Sequence, residues 1–297
     1  MLHIPVLLEE SIDFLIQDKN GFYIDCTYGR GGHTKAILDK ISSFGSLSAF
    51  DKDPQAIESA AEINSKNFKI IHDSFCNISK YYEKNTIDGI IYDLGTCSTH
   101  LDDPLRGFSF NKDGPLDMRF DNTKGQKLYE WINNAQVDEI IKILYEYGDE
   151  KHAKLISKAI KKEREKQPIL KTTQLAEIIQ NIYPEKRKKI HPATKTFQAL
   201  RIFINDEIGE IKKSLQSAER LLKKNGIIVT IAFHSIEDNL IKNFFKASEK
   251  SFPKDIPLNN EKIIRFKILA KKIRPQKKEI ANNPRSRSAI MRVFQKI

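Results

Sequence analysis

Three short stretches of this chain carry residue types that do chemistry. Tyr28-Gly-Arg-Gly-Gly-His33 is a glycine-rich turn placed after an apolar segment that ends in Asp25. Glycine between a strand and a helix lets a ligand approach the backbone closely. Asp51 closes a second apolar segment, Ser46-Leu-Ser-Ala-Phe-Asp51. A carboxylate there accepts both hydrogen bonds of a ribose diol. Asp93-Leu-Gly95 closes a third, Ile87-Asp-Gly-Ile-Ile-Tyr-Asp93. Each residue also has a plainer reading: a tight turn, an ordinary strand-end Asp, or a side chain satisfying the turn's N–H groups. Their common place at strand ends favours a ligand site.

The elements that position them alternate. The pattern predicts a helix over Val6–Phe14, strands at Gly21–Asp25, Ser46–Asp51, Phe68–His72 and Ile87–Asp93, and helices after the glycine turn and at Asp53-Pro54, where Asp is N-cap and Pro is N1. Strands alternating with helices imply a largely parallel sheet covered on both faces. From about Arg106 to Glu207 the pattern is helical, with helices expected at Trp131–Tyr147, Lys151–Lys166, Thr172–Tyr183 and Thr194–Leu222. Strands return at Ile227–Phe233, Ile263–Leu269 and Ser288–Phe294, the last after a loop over Arg274–Ser288. The expected organisation is one α/β domain, residues 1–105 with 208–297, interrupted by a helical domain, residues 106–207.

A glycine turn with a strand-end acid serves both NAD enzymes and methyltransferases that use S-adenosylmethionine (SAM). The turn lacks the phosphate cradle and Lys of a P-loop. The closing strand Ala289–Phe294, after Ile227–Phe233, is the methyltransferase variation on the Rossmann plan. Both points favour SAM. An NAD(P)-dependent dehydrogenase and a non-catalytic assembly factor are the competing readings.

Composition narrows the partner. The net charge is +11, and a basic balance favours polyanions. Ten Lys or Arg and one acid lie between Lys262 and Arg287, and further basic stretches run over Lys151–Lys171 and Lys186–Lys189. These are expected to grip phosphates on either side of a pocket. The longest apolar run, Gly226–Phe233, is strand-sized, so no membrane span is expected. The N-terminus reads as no secretion signal, and a cytoplasmic location is expected. Cys26, Cys76 and Cys97 form no CxxC, so neither a zinc site nor a disulfide framework is expected. Oligomeric state stays open between monomer and homodimer.

At Asp93-Leu-Gly-Thr-Cys-Ser98 the chain resembles the bacterial small-subunit rRNA (cytosine-N4)-methyltransferase H family, also called MraW. The resemblance runs from His3 to the C-terminus. It is carried by Pro5-Val-Leu-Leu-Glu-Glu10, Gly29-Arg-Gly-Gly-His33, Asp51-Lys-Asp-Pro-Gln55, Arg106-Gly-Phe-Ser-Phe110, Asp113-Gly-Pro-Leu-Asp-Met-Arg119, His191-Pro-Ala-Thr-Lys195 and the six residues after it, Phe233-His-Ser-Ile-Glu-Asp238 and Asn283-Pro-Arg-Ser-Arg-Ser288. It implies a class I SAM-dependent methyltransferase fold with an inserted helical domain. The implied activity is methylation of the exocyclic amine of one cytosine near the decoding centre of 16S rRNA, with the small ribosomal subunit as partner.

Carried over by residue, the resemblance implies that Gly31, Gly32 and His33 contact SAM and that Asp51 holds the ribose. Phe75 would lie near the adenine, and Asp93 would face the methionine portion or the reaction centre. His100 stands where the family has Gln, and is carried as a cofactor contact. Thr96-Cys97 replaces the usual Val-Ser. The chemistry needs an oxygen acceptor at the amine, for which Asp93 is placed, with Asp117, His234 and Glu237 as supporters. Asp117 has a competing role as a salt-bridge partner of Arg119, and His234 as a helix-start residue. The target base must leave its stack, and Phe108, Phe110 and Phe233 are candidates to receive it.

Overall fold

A computed structural model describes residues 5–183, 191–247 and 265–297. The basic stretch Lys186–Lys189 and the expected strand start at Ile263 lie outside the described residues. The chain divides into two compact units, Met1–Gly95 with Ile208–Ile297, and Thr96–Glu207.

The first unit is built on seven strands: β1 (Phe22–Asp25), β2 (Ser46–Asp51), β3 (Phe68–His72), β4 (Ile87–Asp93), β5 (Leu222–Ala232), β6 (Phe266–Ile273) and β7 (Ile290–Lys296). They form one sheet in the order β3-β2-β1-β4-β5-β7-β6. The first five strands run parallel, and β7 inserts antiparallel between β5 and β6. This is the class I methyltransferase arrangement expected from the closing strands.

Alternation along β4 shows why both faces are apolar. Ile90 and Tyr92 join Ile24 and Phe50 in one core, which includes Ile211 and Leu215 of α10 (Glu207–Leu221) and Ile241 and Phe245 of α11 (Ser235–Ala247). Ile91 joins Tyr23 and Leu47 in the opposite core, with Leu15 of α1 (Leu8–Leu15) and Ile37 of α2 (Gly32–Lys40). Asp53 accepts from the Gln55 N–H at 3.1 Å and caps α3 (Pro54–Ala60), as its sequence predicts.

Two expectations change. β5 begins at Leu222, because that buried side chain pairs with Ile87 while Lys223, Lys224 and Asn225 stand out in solvent. The span Arg274–Ser288 is ordered into α12 (Lys277–Asn282) and a 3-10 turn over Pro284–Ser288.

The second unit holds α4 (Ser98–Asp102), α5 (Leu128–Asn134), α6 (Val137–Gly148), α7 (Ala153–Arg164), α8 (Thr172–Gln180) and α9 (Thr194–Ile204). It begins at Thr96 rather than near Arg106, because the His100 ring of α4 lies 5.2 Å from both Phe108 and Phe120. The expected helix Trp131–Tyr147 breaks at Ala135-Gln136, where Gln136 donates its N–H to Glu139 at 2.8 Å and starts α6. The expected helix Thr194–Leu222 breaks at Asn205-Asp206, with Asp206 left-handed at φ 48°. No helix among the described residues is long and apolar enough to cross a membrane.

Asn205 holds that break. Its Oδ1 accepts from the Phe120 N–H at 2.8 Å, and its Nδ2 donates to the carbonyls of Met118 at 2.7 Å and Arg201 at 2.9 Å. Asn205→Ala leaves buried backbone groups unsatisfied and should destabilise the helical unit by about 2–4 kcal/mol. Urea unfolding followed by circular dichroism checks this, and an unchanged midpoint would refute it.

Candidate active site

The parallel strands deliver four aspartates to one edge of the sheet. Asp25, Asp51 and Asp93 are the last residues of β1, β2 and β4, and Asp73 follows β3 by one position. This carboxyl edge is where open α/β sheets bind ligands.

Asp25 is 1% exposed. It accepts from the Thr27 N–H at 3.1 Å and the Thr34 hydroxyl at 2.7 Å, tying β1 to α2. Burial pushes its carboxyl up to about 6, against the lowering by Thr34 and Thr27, and the charge of Asp51 adds to the rise. Asp51 accepts from the Gly29 N–H at 2.8 Å on one oxygen and the Asp53 N–H at 2.9 Å on the other. Each carboxylate oxygen has two lone pairs and can accept from more than one donor. Lys52, between them in sequence, pairs with Glu210 of α10 at 2.7 Å.

The glycines are required by the turn itself. Gly31 is left-handed at φ 75°, and a Cβ there would lie 2.8 Å from the Tyr28 hydroxyl. A Cβ at Gly32 would lie 2.9 Å from Pro5. His33 is buried in the first turn of α2, its Nε2 3.2 Å from the Val6 carbonyl. A carbonyl only accepts, so Nε2 carries the proton. Nδ1 lies 3.6 Å from Asp93 Oδ2, too long for a hydrogen bond.

Asp93 donates its backbone N–H to Thr27 Oγ1 at 2.8 Å. Its side chain keeps 14% exposure. Gly95 follows at φ 100°, with the Phe233 ring 3.4 Å from where a Cβ would stand. Phe75 opens a 3-10 turn and meets Tyr92 edge-on at 5.9 Å. Asp73 fixes that turn, accepting from Ser74 N–H at 2.7 Å, Asn77 Nδ2 at 2.8 Å and Tyr81 OH at 2.9 Å. Partial burial alone would raise the Asp73 carboxyl, but the bonds from Asn77, Tyr81 and Ser74 outweigh it and hold the group below its ordinary value.

Gly31, Gly32, His33, Asp51, Phe75 and Asp93 thus share one edge of the first unit. His234 stands beside α11 in a reciprocal cap. Glu237 accepts from the Phe233 N–H at 2.8 Å and lies 2.9 Å from His234 Nε2, while the Glu237 N–H donates to His234 Nδ1 at 3.4 Å. Asp117 and His100 belong to the second unit. Both Asp117 oxygens accept from the Arg119 guanidinium at 2.7 Å, which is the salt-bridge role weighed for it. His100 is stacked on Phe108, which is itself 5% exposed and packed against Phe120. Phe108 is therefore core rather than a surface for a base. Phe110 stacks on His191 at 4.5 Å.

Asp73, Thr27, Thr34 and the Lys52–Glu210 pair were not singled out from the sequence. Asp73 follows the same strand-end rule as its neighbours and was findable. A pair separated by 158 residues leaves no local signal.

The family model described as "MraW methylase family" matches residues 1–297. The chain belongs to the MraW methylase family. This MraW methylase is 45% identical over 305 residues to the ribosomal RNA small subunit methyltransferase H of Idiomarina loihiensis, covering 99% of this chain and 97% of that one. The protein of the same name from Alteromonas mediterranea is 44% identical to it, and that of a Marinomonas species 41%, each with 99% and 97% coverage.

Asp25 gives this MraW methylase a pH-dependent stability. A carboxyl that titrates near 6 when folded and near 4 when unfolded supports the fold below about pH 4. That support is lost as pH rises through about 6. Relative to Asp25→Asn, the wild type should lose roughly 3 kcal/mol between about pH 4 and pH 7. Parallel denaturation curves for the two proteins across that range would contradict the assignment.

Proposed function

We propose that this methylase transfers the methyl group of SAM to the exocyclic amine of a cytosine in the decoding region of 16S rRNA, with the small ribosomal subunit as substrate. The full-length similarity to proteins named ribosomal RNA small subunit methyltransferase H supports the substrate class. The observation that carries the site assignment is Asp93, a partly exposed carboxylate at the end of β4, fixed through its backbone by Thr27 and faced by His33.

When bound, SAM supplies an electrophilic methyl on a sulfonium. The residues present fit it: Asp51 at the end of β2 is the carboxylate acceptor that a ribose diol needs, and no Lys cradle for phosphate lies in the turn. Phe75 would flank the adenine, and the turn of Gly31, Gly32 and His33 would border the remainder. A cytosine N4 is a weak nucleophile because its lone pair is delocalised into the ring. Asp93 accepts a hydrogen bond from this amine, localises the lone pair, and stabilises the positive charge that grows on nitrogen. It then receives the proton that the methylated nitrogen sheds. Most of the acceleration is orientation and electrostatics.

The sequence placed Asp117 and His234 with Asp93 as catalytic. Their partners favour a positioning role, Asp117 holding Arg119 and His234 capping α11 with Glu237. His100, implied to be a cofactor contact, we assign to packing within the helical unit, and that unit to substrate recognition. Of the three phenylalanines, Phe233 beside Gly95 is the one we place at the flipped base. Such a substrate would be met in the cytoplasm.

Asp93→Asn keeps the shape and removes the charge. Methyl transfer from labelled SAM to undermethylated small subunits should fall by at least about 100-fold. SAM affinity, read by calorimetry, should change less than about tenfold. Turnover within a few-fold of wild type would remove Asp93 from the reaction.

A further inference from the structure

We infer that the segment from Arg274 to Arg287 is a clamp for the RNA backbone beside the reaction edge, and that Glu279 is the residue that positions it. The inference rests on the rRNA-methyltransferase reading above.

Sheet register gives the segment its place. Ala232, the last residue of β5, pairs with Ile290, the first of β7. Ile273, the last residue of β6, pairs with Met291. The connection from 274 to 289 therefore lies at the carboxyl edge of the parallel strands, the edge that carries Asp25, Asp51 and Asp93.

Its charge is one-sided. Arg274, Lys277, Lys278, Arg285 and Arg287 are all exposed, and Lys267, Lys271 and Lys272 of β6 continue the basic surface. Arg274, Lys277, Lys278 and Arg287 have no ion-pair partner among the described residues. The arginines that flank the segment behave differently: Arg265 pairs with Glu219, and Arg292 forms a two-pronged pair with Asp238. Arg265 and Arg292 are thus neutralised, whereas Arg274, Lys277, Lys278 and Arg287 face solvent.

The one carboxylate in the segment faces inward. Glu279 accepts the Leu7 N–H at 2.9 Å. Leu7 is buried and left-handed at φ 50° at the start of α1. Its neighbours reach the cofactor turn, since the Val6 carbonyl meets His33 and Pro5 lies against Gly32. Glu279 thus joins the cationic connection to the segment that packs on the glycine turn. Local bonds keep the connection in one shape: the Asn283 N–H donates to the Glu279 carbonyl at 2.7 Å, and the buried Ser286 hydroxyl donates to the Asn283 carbonyl at 2.7 Å.

Exposed, unneutralised cations on an ordered connection match a chain of phosphodiesters, whose contacts fix the register of the strand while a base is read elsewhere. A membrane surface fits poorly, because α12 (Lys-Lys-Glu-Ile-Ala-Asn) has no apolar stripe. A second copy would set like charge against like.

The test compares wild type with Arg274→Gln/Lys277→Gln/Lys278→Gln/Arg287→Gln, whose exposed sites leave the fold intact by circular dichroism. Affinity for a single-stranded RNA oligonucleotide is measured against salt, together with kcat and KM on undermethylated small subunits and SAM affinity. Removing four phosphate contacts should reduce the slope of log K against log salt by about 3. KM for subunits should rise at least about tenfold while kcat and SAM affinity stay within about twofold. Glu279→Ala keeps every cation, so its salt slope should hold while KM rises several-fold, and Glu279→Gln, which retains the accepting oxygen, should restore it.

An unchanged slope and KM in the quadruple variant, with an active wild type, would overturn the clamp and leave the methyltransferase reading standing. A wild type that neither binds RNA nor methylates subunits would overturn both. Loss confined to phosphatidylglycerol-vesicle binding, or to self-association in sedimentation, would replace RNA with a membrane or a second copy.

Discussion

Four parallel strands of one sheet each end in or beside an aspartate, and that concentration of negative charge is the constraint on which the first unit is built. Carboxylates gathered at one edge repel, and burial adds a desolvation cost to any that lose water. The structure answers residue by residue. Thr27 is central: its N–H serves Asp25 and its hydroxyl accepts from the Asp93 N–H, so a single residue spaces two strand ends. Thr34 also donates to Asp25, and Gly29 and Asp53 donate to Asp51. Asp25, the most deeply buried, has the raised carboxyl. An edge with this sign suits a cationic sulfonium.

The second unit solves a different problem. Residues 106–125 hold little regular structure, so their backbone polar groups need side-chain partners. Arg106, 3% exposed, donates to the carbonyls of Arg119 at 3.1 Å and Phe120 at 2.7 Å. Arg119 donates to the carbonyls of Lys124 and Gly125 and holds Asp117. Asn205 closes the set from the C-terminal end of α9. Asp117 and His100, which look chemically available in sequence, make contacts within this scaffolding, Asp117 with Arg119 and His100 with Phe108 and Phe120.

The sheet was legible because its strands are short apolar runs ending in Asp and separated by turn chemistry, a local pattern. Helix breaks were less so. At Ala135-Gln136 the apolar spacing continues across the gap, and only the capping bond from Gln136 to Glu139 marks a new helix. At Asn205-Asp206 the break is stabilised by bonds from Phe120 and to Met118, partners more than 80 residues away. The connection at Arg274–Ser288 read as loop because Pro, Asn and Arg dominate it, and its order comes from Glu279 reaching Leu7. At the candidate site, the glycine turn, Asp51 and Asp93 were visible as strand-end residues. The Lys52–Glu210 pair and the contact of Pro5 with Gly32 depend on tertiary packing and leave no spacing to read.

The central claim is that this edge methylates a cytosine amine. Nucleoside mass spectrometry tests it most directly: small subunits lacking their native modification are incubated with the protein and isotopically labelled SAM, then digested. The account predicts label in N4-methylcytidine and in no other nucleoside. Label in a different nucleoside, or none from a protein shown to bind SAM and the subunit, would contradict it.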